Sequence, residues 1–211
     1  MKALTLQKHI ASQHHIASQG TDTIIFVEHP PVYTIGIRTK DYSDEDQVRL
    51  QQTGAEFYKT NRGGLITFHG PGQLVVYPIL NLKNYKPSMK WYICHIEKTV
   101  IDMCKVFGLN ASTSPHTGVW IGDNKICAIG VHGSRFVTTH GLALNCSTDL
   151  EWYKHIVPCG IKDKGVTTLT KELNRLVTIE EVMPLFLECF SKYFNCNYVD
   201  YPEEDKVKLS L

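Results

Sequence analysis

The chain has 211 residues, 43% of them hydrophobic, and its 22 Lys and Arg nearly balance 21 Asp and Glu. That composition supplies one sizeable core and carries no basic excess of the kind a nucleic-acid surface needs. No apolar run is long enough to span a membrane, and seven cysteines, an odd number without a CxxC pair, argue against a disulfide framework or zinc ribbon and for a reducing compartment.

Residues 2–19 predict a first helix ending at Gly20, with Leu6, Ile10 and Ala17 on one face. The first acidic residue is Asp22, as in an acid-poor mitochondrial leader, but no arginine precedes Arg38, so the segment reads as part of the fold. Residues 23–28 predict a buried strand, stopped by His29, Pro30 and Pro31. A short polar helix over 44–53 and a strand over 55–60 follow. Strands over 64–68 and 73–80 flank a turn forced by Gly70, Pro71 and Gly72. Ser88 caps a long helix reaching Phe107, with Ile93, Ile96, Val100, Cys104 and Phe107 as its apolar stripe and Gly108 as its end. Strands over 118–121 and 125–131 pair around Gly122, Asp123 and Asn124. A further strand spans 135–146, and Pro158-Cys159-Gly160 falls in a loop. Thr178 and Glu181 match a capping box for the last helix, where Pro184 predicts a kink or a later start.

The order is mixed and its connections are short. It points to an α/β (α+β) domain with a mixed, largely antiparallel sheet packed by helices, over residues 1–196, with a polar tail over 197–211. Regular strand–helix alternation is missing, which disfavours a doubly wound nucleotide fold.

Cys159 stands apart from the other cysteines. Pro158 stiffens the chain before it, and Gly160 leaves room for a bend and a ligand after it. A thiol attacks as its thiolate, which a nearby cation favours. Lys125, His69 and His140 are candidates for that neighbour, and each also has an ordinary structural reading. The stretch from Arg62 to Gln73 lacks the Lys-Ser/Thr of a phosphate loop and is not GxGxxG. Gly63 and Gly64, with Gly141 and Ala143, can instead form a narrow slot for an alkyl chain, or serve tight strand packing. Ten histidines form no HExxH pattern.

The run Arg62, Gly63, Gly64, Leu65, Ile66, Thr67, Phe68, His69, Gly70, Pro71, Gly72, Gln73 resembles the signature of the lipoyl (octanoyl) transferase family. Four further segments resemble the same family in the same order: residues 29–34, Lys125 to Gly130, His140 to Asn145, and Pro158 to Gly160. The similarity covers roughly residues 1–195, and the wording around Thr117–Trp120 and Asn145–Asp149 resembles its animal mitochondrial members. The resemblance implies a catalytic domain like that of biotin and lipoate protein ligases. It implies transfer of an octanoyl group from octanoyl-acyl carrier protein to a lysine of a lipoyl domain or of the glycine cleavage H protein. Cys159 would carry the acyl group as a thioester, and Lys125 would lower its pKa and handle protons. Residues 62–69, Ala128, Ile129 and Gly130, and Gly141, Leu142 and Ala143 would bind substrate. No cofactor, metal or nucleotide is expected, because thioester exchange and thioester-to-amide transfer need none. A mitochondrial monomer is expected. The competing readings are an ATP-dependent lipoate ligase, an amidotransferase between lipoyl domains, a cysteine hydrolase using His69 or His140, and a binding module without activity.

Overall fold

The structure, a computed structural model, describes residues 2–16, 20–39, 42–157 and 164–201. Two sheets organise it. The larger has the order β1 (Thr23–Val27), β5 (Gln73–Ile79), β8 (Val137–Asn145), β7 (Asn124–Ser134) and β6 (Val119–Ile121), with all neighbours antiparallel. A two-residue strand, β9 (Gly165–Val166), lies parallel to the start of β7. In the smaller sheet β2 (Val32–Ile35) sits between β3 (Glu56–Lys59), which is parallel to it, and β4 (Thr67–His69), which is antiparallel. The expected mixed, largely antiparallel α/β architecture is therefore present, divided between two sheets.

Strand side chains alternate between faces, and this separates the larger sheet into two environments. Leu74, Val76, Cys127, Leu142 and Leu144 face the main core. There they meet α3 (Met89–Val106) through Tyr92, Ile96, Val100 and Met103, the short α4 (Leu169–Leu173) through Leu169, and α5 (Ile179–Phe194) through Val182, Phe186 and Phe190. Val75, Tyr77 and Ala143 point the other way, where α1 (Lys2–Gln13) covers part of the face with Leu6 and Ile10. The smaller sheet turns Tyr33, Ile35 and Phe68 into a third cluster with Leu50 of α2 (Asp44–Gln51), Tyr153 and Ile156.

Helix limits follow local chemistry. Ser88 and Thr178 accept from the backbone N–H groups of Trp91 and Glu181, three residues on, as N-caps do. α5 starts at Ile179 and continues through Pro184, which excludes the later start, one of the two expected outcomes. A proline removes one backbone donor, and the cap together with the buried stripe of Val182, Phe186 and Phe190 outweighs that loss. α1 is shorter than expected. The chain turns back after Gln13 so tightly that a Cβ on Gly20 would lie 2.5 Å from His14 Cγ. β4 begins at Thr67 because Gly64 has φ +95°, outside the strand region. β8 begins at Val137 because Arg135 (φ 50°) and Phe136 (φ 70°) form the hairpin turn themselves. Two positive φ values are what a type I′ two-residue turn requires. β1 is half-buried along its length, since it is an edge strand, where a fully buried strand was expected.

Candidate active site

The two sheets do not close on each other. Between them lies a cavity of about 450 Å³, within the usual size range of small-molecule sites. The larger sheet contributes Val27, Val75, Tyr77, Ala128, Gly130, Gly141 and Ala143. The smaller contributes Val32, Thr34, Glu56, Tyr58, Thr67 and His69, and Lys2, Ala3 and Leu4 of α1 complete the lining at the helix.

Three segments distant in sequence meet here. Arg62, Gly63, Gly64, Leu65, Thr67 and His69 line the cavity, as do Ala128, Ile129, Gly130, Gly141, Leu142 and Ala143. Ile66 and Phe68 do not. They are fully buried in the third cluster, because alternation along β4 sends Thr67 and His69 one way and Ile66 and Phe68 the other.

The glycines divide by cause. A Cβ on Gly141 would fall 2.1 Å from the Val76 carbonyl oxygen, so the sheet itself requires glycine there. A Cβ on Gly130 would press on Arg62 Cδ at 3.0 Å. Gly63 is different: its nearest neighbour would be the Val131 oxygen at 3.5 Å, an ordinary contact. Packing therefore leaves room for a side chain at this point of the cavity lining.

Arg62 is the buried cation of the site. Its Nη2 donates to the Thr34 carbonyl (2.7 Å) and to Thr34 Oγ1 (2.9 Å), and its Nη1 donates to the Gly63 carbonyl (3.0 Å). Three histidines surround the same space. His69 Nδ1 lies 2.8 Å from Gln73 Oε1, and its Nε2 lies 3.2 Å from Thr34 Oγ1. The Gln73 amide orientation is fixed because its Nε2 donates to the Phe68 carbonyl and to Asn145 Oδ1. His69 therefore holds its proton on Nδ1 and accepts at Nε2. Burial and the Arg62 charge push His69 down to about 3 and His140 down to about 4. Burial also lowers His29, whose Nε2 is 2.8 Å from the Tyr77 hydroxyl. Near neutral pH these imidazoles are uncharged hydrogen-bonding groups. His140 adopts φ 58° within β8, and its Nε2 meets Asn61 Oδ1 at 2.8 Å.

Lys125 is buried near the start of β7, on the strand that brings Ala128 and Gly130 to the cavity. Its Nζ donates to the Thr117 carbonyl at 3.2 Å and lies 4.8 Å from the Trp120 ring centroid. β9 pairs Val166 with Lys125, and the Thr167 N–H donates to the Lys125 carbonyl at 3.0 Å. Pro158, Cys159 and Gly160 lie outside the described residues. Among the described cysteines, Cys104, Cys127, Cys146 and Cys189 are buried, and burial raises all four thiols, Cys104 and Cys146 to about 12. Such thiols stay protonated and behave as small apolar groups. Cys104 thus has the core role that its stripe suggests.

Sequence reasoning missed Thr34, Gln73, Asn145 and Tyr153 as members of the polar network behind the cavity. The available signal was Gln73 and Asn145, uncharged polar residues that border the apolar runs 74–77 and 142–144. Among the described residues no group of three His, Cys, Asp or Glu converges as a metal site, and no helix is long and apolar enough to cross a membrane.

A model of the lipoyl protein ligase A/B catalytic domain family matches residues 1–191. The chain is 57% identical to the mitochondrial octanoyl-[acyl-carrier-protein]:protein N-octanoyltransferase of Danio rerio, over 90% of this chain and 85% of that protein. The Homo sapiens protein of the same name is 49% identical, with 80% and 74% covered. The mitochondrial octanoyltransferase of Arabidopsis thaliana is 40% identical, with 99% and 90% covered. Among solved structures, a lipoate-protein ligase A bound with ATP matches with a TM-score of 0.79 at 16% identity, covering 100% of this chain and 88% of that one. A putative lipoate protein ligase from T. acidophilum with bound lipoic acid matches with a TM-score of 0.73 at 16% identity, covering 97% and 87%. These two similarities show the fold alone, and it is the ligase-like fold that the motifs imply.

Proposed function

The chain belongs to the lipoyl protein ligase A/B catalytic family, among its octanoyltransferases, and from that premise we propose that Cys159 carries the octanoyl group as a thioester while Lys125 manages the protons. The enzyme is an acyltransferase of protein lipoylation. One observation carries the reading of the site: residues 62–65, Thr67, His69, 128–130 and 141–143 converge on one largely apolar cavity, and Lys125 lies on a strand that lines it. The chain that follows Cys159 re-enters the sheet as β9, beside Lys125, and this supports pairing the two residues.

In the first half-reaction the Cys159 thiolate attacks the thioester carbonyl of octanoyl-acyl carrier protein. The carrier sulfur leaves and takes a proton from the Lys125 ammonium. In the second, the amine of a lipoyl-domain lysine, or of the glycine cleavage H protein, attacks the acyl-enzyme. The Cys159 sulfur leaves as thiolate, and the neutral Lys125 amine takes the proton released as the amide forms. Splitting the transfer lets two protein substrates visit in turn. Burying the alkyl part of the chain between the sheets contributes about 5 kcal/mol, at about 0.8 kcal/mol per methylene. The unit that does this spans residues 1–196, acts as a monomer in mitochondria, and is followed by the polar tail 197–211. The mitochondrial names of its relatives support that location.

Intact-mass measurement after incubation with octanoyl-acyl carrier protein tests the reading. The expected result is one octanoyl adduct, labile to hydroxylamine and missing from Cys159→Ser. An adduct that persists in that variant removes Cys159 from the role, and full activity in Lys125→Ala removes Lys125.

A further inference from the structure

The main core beside β8 is apolar, yet Asn145, the last residue of that strand, is a buried carboxamide with every polar atom engaged. Its Oδ1 accepts from Gln73 Nε2 (2.8 Å) and lies 3.3 Å from the Tyr153 hydroxyl, and its Nδ2 donates to the Thr167 carbonyl (3.0 Å). Gln73 Nε2 also donates to the Tyr153 hydroxyl at 2.9 Å. Gln73 and Thr167 are fully buried. Tyr153 belongs to the short 3₁₀ turn Leu150–His155, upstream of Cys159, and Thr167 follows β9, downstream of it. One side chain therefore ties both the chain that leads to Cys159 and the chain that leaves it. Thr167 is also bonded through its N–H to the Lys125 carbonyl, so the same tie reaches the strand of the proposed base.

A carboxamide suits this task because one planar group offers an acceptor to one flank and a donor to the other. Simple filling of the space would be served by an apolar residue, without the need to satisfy buried polar atoms. A fully satisfied buried network holds its members in one arrangement.

We propose that Asn145 is a positioning residue for the transfer: with Gln73 and Tyr153 it clamps both flanks of the segment that carries Cys159 and so sets the distance between Cys159 and Lys125. The proposal rests on the reading of Cys159 as acyl carrier. Its consequence is kinetic, since loss of alignment between reacting groups by about 1 Å lowers a rate by about 100-fold without a matching loss of binding.

The test compares Asn145→Leu, Tyr153→Phe and the double variant with wild type. Two readouts are used: the pH midpoint for iodoacetamide modification of Cys159, followed on its own peptide by mass spectrometry, and the single-turnover rate of acylation by octanoyl-acyl carrier protein. Asn145→Leu should lose about 100-fold in rate, with half-saturation changed less than about threefold, and its midpoint should move to higher pH as Cys159 parts from Lys125. Tyr153→Phe frees one flank and should lose about tenfold. The double variant should be no worse than Asn145→Leu, because groups that act as a unit are not additive. Thr138→Val removes another buried hydroxyl, bonded to the Pro78 carbonyl and the Leu80 N–H. It should lower the melting temperature and leave the midpoint in place. A folded Asn145→Leu with the wild-type midpoint and rate overturns the proposal, as does a midpoint shift equal to that of Thr138→Val. If Asn145→Leu does not fold, Tyr153→Phe decides on the same readouts. A wild-type adduct found on a residue other than Cys159 is a different failure, that of the underlying reading, and it shows before any variant is made.

Discussion

The two faces of the six-stranded sheet use the same strands for opposite ends. On one face Leu74, Val76, Leu142 and Leu144 are sealed by α3 and α5, and the contact is continuous and apolar. On the other, Val75, Tyr77, Ala128, Gly130, Gly141 and Ala143 meet only part of α1 and a small second sheet, and a cavity is left. Large branched side chains alternate with small ones along β7 and β8, so one pleat both fills a core and empties a site. A face that must bind is one the chain declines to fill, and its stability has to come from the opposite side.

That contrast can be broken most severely on the sealed face. Phe186→Ala removes a fully buried ring that stacks edge-on against Phe26 at 5.9 Å. It should cost about 3–5 kcal/mol, read from denaturant unfolding. On the cavity face the largest loss should come from Gly141→Ala, whose Cβ meets the Val76 carbonyl in the sheet. It should cost about 1–3 kcal/mol by the same measurement and widen the strand spacing there.

Acid should weaken the cavity face selectively. His69 and His140 are held below their ordinary value of 6.5, at about 3 and about 4. The unfolded chain therefore takes up protons first as pH falls. Their stabilising contribution is complete above about pH 6.5 and is lost as pH drops toward those folded values, by at most about 1.4 kcal/mol per pH unit for each imidazole. Unfolding free energies between pH 7 and pH 5 should show this slope, and His69→Gln should flatten it. Equal slopes in both proteins would remove His69 as its source.

The smallest effect on stability should be the most informative for specificity. Gly63→Ala should change unfolding free energy by less than about 0.5 kcal/mol, since its Cβ makes only an ordinary contact. The added methyl enters the cavity, so acyl-enzyme formation should shift in favour of chains shorter than octanoyl. An unchanged chain-length profile would return Gly63 to a packing role.

Much of the frame is legible from sequence because its causes are local. Ser88 and Thr178 cap their helices, Gly108 (φ 74°) follows α3, and the stripe of Ile96, Val100 and Cys104 faces the core. The Arg135–Phe136 turn is hidden because neither residue is a usual left-handed former, and the hairpin register imposes the conformation. The split of residues 62–69 between cavity and core is hidden for a related reason. A contiguous motif does not state which pleat faces which layer until β4 has paired with β2.

A cysteine between proline and glycine and a lysine opening a strand are visible in the sequence itself. The sequence alone determined the family, the reaction class and the candidate residues, because those reside in residue types and their order. Tertiary structure decided the rest: that three segments share one cavity, that Gly141 lacks room for a Cβ while Gly63 has it, that three histidines line the cavity beside Arg62, and that Asn145 joins Gln73 to Thr167. Each of these depends on distances between residues far apart in the chain, and such distances come into being only when the two sheets pack.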